Sequence, residues 1–86
     1  MLVLVIDDEP AIRQVLCAML GRNGYDVDQA SNVAEAGARL AVGDVDVALC
    51  DIKMPDGNGI DLVRSTRAAG LDTPFLIMTA FASVET

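Results

Sequence analysis

Two largely apolar segments of this chain each end in aspartate. Residues 2–6 are followed by Asp7 and Asp8, and residues 45–50 are followed by Asp51. The carboxyl ends of neighbouring parallel strands meet at one edge of an α/β sheet, so three carboxylates placed there would repel one another unless a cation lay among them. Mg²⁺ prefers a few carboxylates together with water and a phosphate oxygen. The first hypothesis is therefore phosphoryl chemistry at an aspartate.

The spacing of apolar residues predicts the elements that would position these aspartates. Short β-rich runs alternate with segments of helical periodicity, and the connections have the length that parallel crossovers need. Pro10 suits the first turn of a helix, and Asn32 with Glu35 three residues later resembles a capping box. We predict one α/β domain over residues 1–86, a doubly wound parallel sheet with strands at 2–6, 25–30, 46–50 and 75–78 and helices at 10–22, 33–43 and 60–69.

The composition excludes several classes of function. The 86 residues carry a net charge of −7, so we expect no direct nucleic-acid contact and no binding to a membrane surface. No apolar run approaches the ~18 residues of a membrane span and no signal peptide is recognisable, so we expect a cytoplasmic protein. The absence of histidine removes Ser-His and Cys-His catalysis and histidine-ligated metal sites. Cys17 and Cys50 match no metal or redox spacing and are predicted to be reduced, buried thiols.

Three spaced motifs resemble those of the receiver domain of two-component response regulators. They are Ile-Asp-Asp-Glu-Pro at residues 6–10, Asp-Ile-Lys-Met-Pro-Asp-Gly-Asn-Gly at residues 51–59 and Thr-Ala at residues 79–80. Residues 78–86 further resemble receivers of the nitrogen-regulation type, which usually precede an ATPase and a DNA-binding domain in sigma-54 activators. The resemblance implies a flavodoxin-like sheet with strand order 2-1-3-4, and a signalling module rather than an enzyme.

The resemblance also implies a role for each matching residue. Asp51 would be the nucleophile that takes a phosphoryl group from the phosphohistidine of a sensor histidine kinase. Asp8 would ligate Mg²⁺ directly and Asp7 partly through water, while Lys53 would contribute its backbone carbonyl to the metal. Thr79 would donate its hydroxyl to a phosphoryl oxygen. The physical chemistry agrees, because a carboxylate attacks phosphorus readily only when a metal offsets the charge on both partners.

The sequence departs from the family pattern at its end. Receiver domains carry a fifth strand that ends in a lysine contacting the phosphoryl group, followed by a last helix, whereas Lys53 is the only lysine here. Residues 82–86 look like an unfinished helix, so we expect a truncated receiver whose phosphorylation is impaired by the loss of a charge-assisted contact of ~1.5–3 kcal/mol. With the fifth strand missing, the strand at 75–78 would be an open apolar edge, which predicts a homodimer or a swapped assembly through that strand.

Two other functions stay open. An interaction-only pseudo-receiver would keep the fold without binding metal, and only the missing lysine favours it. A Mg²⁺-dependent phosphohydrolase would also use an aspartyl nucleophile, but that class usually has one residue between its first two aspartates and needs a substrate cap. Here Asp7 and Asp8 are adjacent, and the chain is short.

Each acidic segment also has a purely structural interpretation. Asp7 and Asp8 could be a solvated pair at a strand end, and Asp51 could cap the turn that follows it. These interpretations lose weight when the three residues are considered together at the ends of two buried strands. The segment Asp-Gly-Asn-Gly at residues 56–59 is interpreted as a tight turn, because it lacks the ligand spacing of a calcium loop.

Overall fold

Residues 1–78 are described by the structure, which is a computed structural model. This part of the chain alternates strands and helices, as the apolar spacing predicts. A hairpin of two-residue strands precedes the third helix. The elements in chain order are β1 (Leu2–Ile6), α1 (Pro10–Arg22), β2 (Asp26–Ala30), α2 (Val33–Ala41), β3 (Val47–Asp51), β4 (Lys53–Met54), β5 (Gly57–Asn58), α3 (Gly59–Ala68) and β6 (Phe75–Met78).

Four of the strands form one parallel sheet in the order β2-β1-β3-β6. Ile6 of β1 lies opposite Ala30 on one side and Cys50 on the other, and Asp51 lies opposite Met78. The predicted doubly wound, flavodoxin-like sheet with order 2-1-3-4 is thus confirmed, with β6 as the fourth strand. Because β1 and β3 are central neighbours, the residues at their carboxyl ends emerge side by side.

The core is aliphatic and lies around β1. Leu4, Val5 and Ile6 have no exposed surface, and the helices α2 and α3 contribute Leu40 and Leu62 to the buried set. A strand that is covered on both faces is typically a continuous apolar run, and β1 has that pattern. β2 lies at the edge of the sheet, and three of its five residues are accordingly polar.

Side chains cap α2 and α3, whereas Glu9, the N-cap residue of α1, makes no capping hydrogen bond with its side chain. Asn32 Oδ1 accepts a 2.8 Å hydrogen bond from the Glu35 N–H, as the capping-box pattern predicts. The Glu35 carboxylate accepts from the N–H and the hydroxyl of Ser31, both at 2.7 Å, one residue before the partner that a capping box would give it. At α3, Asn58 Oδ1 accepts from the Asp61 N–H at 2.8 Å. These contacts satisfy N–H groups that a helix start leaves unpaired.

Several boundaries differ from the sequence prediction. β2 begins at Asp26, one residue later than predicted, and Asp51 is the last residue of β3 rather than the first residue beyond it. The turn predicted over residues 56–59 is narrower. Lys53–Met54 pairs antiparallel with Gly57–Asn58, so the turn is confined to residues 55–56.

Two predictions fall on residues outside the described part of the chain. They are the role of Thr79 as a hydroxyl donor to a phosphoryl oxygen, and the beginning of a helix at residues 82–86. Among residues 1–78, no helix is long and apolar enough to cross a membrane.

Candidate functional site

Three carboxylates come together at the carboxyl edge of the sheet. Asp7 and Asp8 follow β1 directly, and Asp51 ends β3, the neighbouring strand. Carboxylate oxygens of the three residues lie within 4.8 Å of one another. The structure therefore assembles the acidic cluster that the sequence predicts, and it does so because the two strands are parallel and in register.

The three aspartates differ in exposure. Asp7 is only 2% exposed, Asp51 is half-buried and Asp8 is exposed. Asp7 is also the most constrained, since its Oδ1 accepts a 2.9 Å hydrogen bond from the Glu9 N–H. Its own N–H donates to the Ala30 carbonyl at 3.1 Å, which extends the β1–β2 ladder by one residue. The cluster thus has a rigid, buried side at Asp7 and an open side at Asp8 and Asp51.

The electrostatics of the cluster favour a cation. Burial raises the pKa of Asp7, the Glu9 N–H opposes that rise, and the carboxylates of Asp51, Asp8 and Glu9 add to it. A buried carboxylate surrounded by others is destabilised in its ionised form, and a divalent ion relieves this by its own charge. Carboxylate oxygens with open access to water are the donors that Mg²⁺ prefers. The residues present therefore fit a magnesium ion, to which Asp7, Asp8 and Asp51 would offer carboxylate oxygens.

Arg13 also contacts the carboxyl edge of the sheet, and its contacts there were not predicted from the sequence. From the first turns of α1, its Nη1 donates to the Asp7 carbonyl at 2.7 Å, and its Nε donates to Gln29 Oε1 at 3.0 Å. The guanidinium thereby joins the ends of β1 and β2 to α1. Its position six residues after Asp7 was the available signal, but the residue pattern of α1 predicted only a helix and its apolar face.

Gly59 limits the space behind Asp51. A Cβ at position 59 would lie 2.7 Å from the Asp51 carbonyl oxygen and 3.0 Å from Cys50 Sγ. The Gly59 N–H donates to the Ile52 carbonyl at 2.7 Å, which closes the loop between β3 and α3 at its base. A glycine is therefore required here by close approach. Lys53 lies inside this closed loop, in β4, with an exposed side chain.

The two cysteines are both free thiols, but they differ in burial. Cys50 is completely buried, and its Sγ donates to the Asp51 carbonyl at 3.2 Å. Burial, with smaller contributions from Asp51 and Asp7, raises the pKa of Cys50 to about 11. Cys17 is only partly buried. The prediction of two buried thiols is therefore confirmed for Cys50, whereas Cys17 is more exposed than predicted.

A doubly wound parallel sheet with carboxylates at the ends of its central strands defines a small α/β domain with an acidic, cation-compatible site. The chain belongs to the response regulator receiver domain family, whose sequence model matches residues 3–86. Receiver domains are the signalling domains of two-component systems and are not typical enzymes. The family inferred from the motifs is therefore confirmed.

Curated relatives agree with this assignment. The chain is 42% identical over 83 residues to the response regulator protein PilR of Pseudomonas aeruginosa, covering 96% of this chain and 19% of that protein. It is 45% identical over 78 residues to the DNA-binding transcriptional regulator NtrC of Rhizobium meliloti, covering 91% and 16%. With MprA of Mycobacterium avium the identity is 38% over 84 residues, covering 98% and 37%. The chain thus spans between 16% and 37% of the length of these relatives.

Solved structures show the same fold. The response regulator TrrA of Thermotoga maritima, determined in complex with Mg²⁺-BeF, has a TM-score of 0.88 and 34% identity, covering 95% of this chain and 71% of that one. The receiver domain of the Francisella response regulator 1452 has a TM-score of 0.89 and 33% identity, covering 98% and 69%. Both likenesses extend over nearly the whole of this chain.

Proposed function

We propose that this domain accepts a phosphoryl group on Asp51 from the phosphohistidine of a sensor histidine kinase, with Mg²⁺ bound by Asp7, Asp8 and Asp51. The observation that carries the proposal is the carboxylate cluster, whose oxygens lie within 4.8 Å of one another in a chain of the receiver family. The Mg²⁺-BeF complex of TrrA supports the choice of ion by analogy. A cytoplasmic location follows from the same proposal, because the kinase domain that supplies the phosphoryl group works there.

Asp51, Asp7 and Asp8 have different roles in the proposed phosphoryl transfer. An Asp51 carboxylate oxygen attacks phosphorus while the bond from phosphorus to the kinase imidazole breaks, and the imidazole nitrogen keeps the electron pair of that bond. Mg²⁺ supplies positive charge that offsets repulsion between the carboxylates and the phosphoryl oxygens. Asp7, fixed by the Glu9 N–H, holds the buried side of the site, and the exposed Asp8 faces the incoming donor.

Two further roles belong to the proposal through the family resemblance. The Lys53 backbone carbonyl contributes a metal ligand, and the Thr79 hydroxyl donates to a phosphoryl oxygen. Lys53 is the only lysine in the 86 residues, so the polypeptide of this length has no other lysine side chain to contact the phosphoryl group. We propose that phosphorylation of this polypeptide by itself is correspondingly slow.

The outer edge of β6 is the basis of a separate proposal about assembly. Within residues 1–78 β6 pairs only with β3, and Leu76 is 60% exposed. An apolar edge strand of this kind is a template for pairing with another chain. We propose that the 86-residue polypeptide associates through β6 as a homodimer or a swapped assembly, which multi-angle light scattering over a range of concentrations tests. A monomer at the highest concentration would contradict it.

The proposed chemistry is tested by incubating the chain with Mg²⁺ and a small phosphodonor such as acetyl phosphate, then measuring its intact mass. The expected result is one added phosphoryl group on the parent and none on Asp51→Asn, which keeps the shape of the site. Mg²⁺ binding without an adduct would contradict phosphorylation of this polypeptide. Absence of both would favour a pseudo-receiver, and steady turnover of small phosphate esters would favour a phosphohydrolase.

A further inference from the structure

The turn that follows the candidate site is attached to the N-terminus of α2. Asp56 lies in the turn of the β4–β5 hairpin. Its Oδ1 accepts from the Val33 N–H at 2.8 Å and its Oδ2 accepts from the Ala34 N–H at 3.0 Å. Gly57 packs on the same helix start, since a Cβ at position 57 would lie 3.3 Å from Val33 Cγ2. We refer to this contact of Asp56 and Gly57 with Val33 and Ala34 as the Asp56 latch.

The latch pairs a carboxylate with a helix end of complementary charge. The first N–H groups of a helix have no partner within it, and the helix dipole places partial positive charge there. The N–H groups of Val33 and Ala34 lower the pKa of Asp56 from its ordinary value. The next N–H, that of Glu35, is already capped by Asn32 from within the same segment. Asp56 therefore adds a connection between two segments to a helix that has its own cap.

The same hairpin is fixed at its other end beside the carboxylates. The Gly59 N–H donates to the Ile52 carbonyl at 2.7 Å, and Gly59 lies directly against the Asp51 carbonyl. Lys53, paired with Asn58 across the hairpin, lies between this base and the latch. The backbone that carries the proposed carbonyl ligand is thus held at the site end and at the α2 end.

We propose that Asp56 is a positioning residue of the magnesium site. By tying the hairpin to α2, it fixes the backbone at Lys53 relative to the carboxylates of Asp7, Asp8 and Asp51. The inference rests on the proposed function, in which the Lys53 carbonyl binds the ion. Asp56 itself is not among the proposed ligands of the ion.

The size of the effect follows from the cost of a poorly held ligand. A backbone carbonyl contributes fully to metal affinity only when its position is set before the ion binds. Loss of a partner that orients a metal ligand typically lowers affinity by ~10–100-fold. Because only one of the four proposed ligands depends on the latch, we expect Asp56→Ala to raise the Kd for Mg²⁺ by about 10-fold, at the low end of this range.

The experiment is a titration of the ¹⁵N-labelled chain with MgCl₂, followed by backbone amide shifts in NMR spectra. Asp56→Ala removes both acceptors, and Asp56→Asn keeps one oxygen acceptor and is expected to give an intermediate Kd. Asn32→Ala is the matched control, because it removes a cap from the same helix end without touching the hairpin. Glu35→Gln removes a negative charge at that helix end, where the carboxylate accepts hydrogen bonds from Ser31. Both controls are expected to bind Mg²⁺ within about twofold of the parent, within the scatter of surface substitutions.

Amide hydrogen exchange in the absence of Mg²⁺ provides a second measurement. The proposal expects faster exchange at residues 53–58 in Asp56→Ala, and unchanged exchange at those residues in Asn32→Ala. If Asp56→Ala does not fold, Asp56→Asn is measured in the same two ways.

The outcomes separate this inference from the proposed function. If the parent binds Mg²⁺ and both Asp56 variants bind it equally well, the latch proposal is wrong and the proposed function stands. If Asn32→Ala weakens binding as much as Asp56→Ala, the effect belongs to the stability of α2, and the latch proposal is again wrong. If the parent itself binds no Mg²⁺, the proposed function fails and the latch role fails with it.

Discussion

Gly59 lies against the carbonyl of Asp51 so closely that a Cβ at position 59 would be 2.7 Å from that oxygen. We expect Gly59→Ala to push the start of α3 away from the end of β3 and to destabilise the domain by ~1–3 kcal/mol, the usual cost of overpacking. The displaced Asp51 should also react more slowly with a small phosphodonor. Urea unfolding and intact-mass measurements of phosphorylation test the two effects.

Gly37 provides the control for this substitution. It lies within α2, and a Cβ there would meet nothing within 4 Å. Gly37→Ala is therefore expected to stabilise the domain by ~0.5–1 kcal/mol, because alanine loses less backbone entropy in a helix than glycine. Equal stability of the two alanine variants would show that the space at position 59 is larger than the structure indicates.

Asp7 is expected to lower the stability of the metal-free domain. Its pKa is raised by burial and by the neighbouring carboxylates, so its ionised form is less stable in the folded than in the unfolded chain. Asp7→Asn keeps the shape and the acceptor for the Glu9 N–H, and it should raise the urea midpoint at pH 7 in the presence of a chelator. The same variant should weaken Mg²⁺ binding by more than the ~10-fold that loss of an outer contact costs.

Asp28→Asn is the matched comparison, because this substitution should change the stability of the domain in the opposite direction to Asp7→Asn. Hydrogen bonds, above all from Arg39, lower the pKa of Asp28, so its carboxylate stabilises the folded state at neutral pH. This variant should lower the urea midpoint and leave Mg²⁺ binding unchanged. A loss of stability in Asp7→Asn as well would mean that the acidic cluster is not strained without metal.

The alternation of strands and helices and the carboxylate cluster could be predicted because both depend on local patterns, whereas the strand order 2-1-3-4 came from the resemblance to receiver domains. Apolar runs that end in acid mark the carboxyl ends of β1 and β3, and parallel connectivity then brings Asp7 and Asp51 to one edge. The cap at Asn32 could be predicted for the same reason, because its partner Glu35 lies only three residues away.

The contacts that support the site could not be predicted in this way. Asp56 meets the start of α2 across 22 and 23 residues of sequence, and Arg13 meets Gln29 across 16. Such pairs depend on how helices pack on the sheet, which apolar spacing alone does not specify. The close approach of Gly59 to Asp51 likewise depends on the path of the loop between them, and its sequence favours only a turn.

Because Cys17 and Cys50 differ in burial, we expect a thiol reagent to label them at different rates. Cys50 is completely buried with a pKa of about 11, so at pH 8 only about one thousandth of it is thiolate, the reactive form. Cys17 is partly exposed. Iodoacetamide at pH 8 should modify Cys17 first, by at least ~10-fold in rate, as measured by peptide mass spectrometry. Equal rates in the folded chain, with Cys17→Ser as the control for Cys50 labelling, would contradict the burial of Cys50.

The ion pairs of Arg39 should make the free energy of unfolding of the domain depend on pH. Its guanidinium binds Asp28 and Asp44, each at 2.6 Å, and joins the end of α2 to β2 and to the following loop. These contacts lower the pKa of both carboxyls below their ordinary value of 3.8. For an acid with a lowered folded-state pKa, the stabilisation is complete well above 3.8 and is lost as the pH falls through the folded value.

We therefore expect Arg39→Gln to have a lower free energy of unfolding than the parent at pH 7. This difference in free energy should become smaller as the pH falls below 3.8. Urea unfolding of both chains from pH 7 to pH 2 measures this narrowing. Arg22→Gln is the control, because Arg22 occupies the last turn of α1 as Arg39 occupies that of α2, so the two variants lose the same charge at equivalent helix positions. The described contacts of Arg22 include no carboxylate. The difference in free energy of unfolding between Arg22→Gln and the parent should therefore stay constant from pH 7 to pH 2. A constant difference for Arg39→Gln down to pH 2 would show that its effect comes from packing of the side chain and not from the two carboxylates.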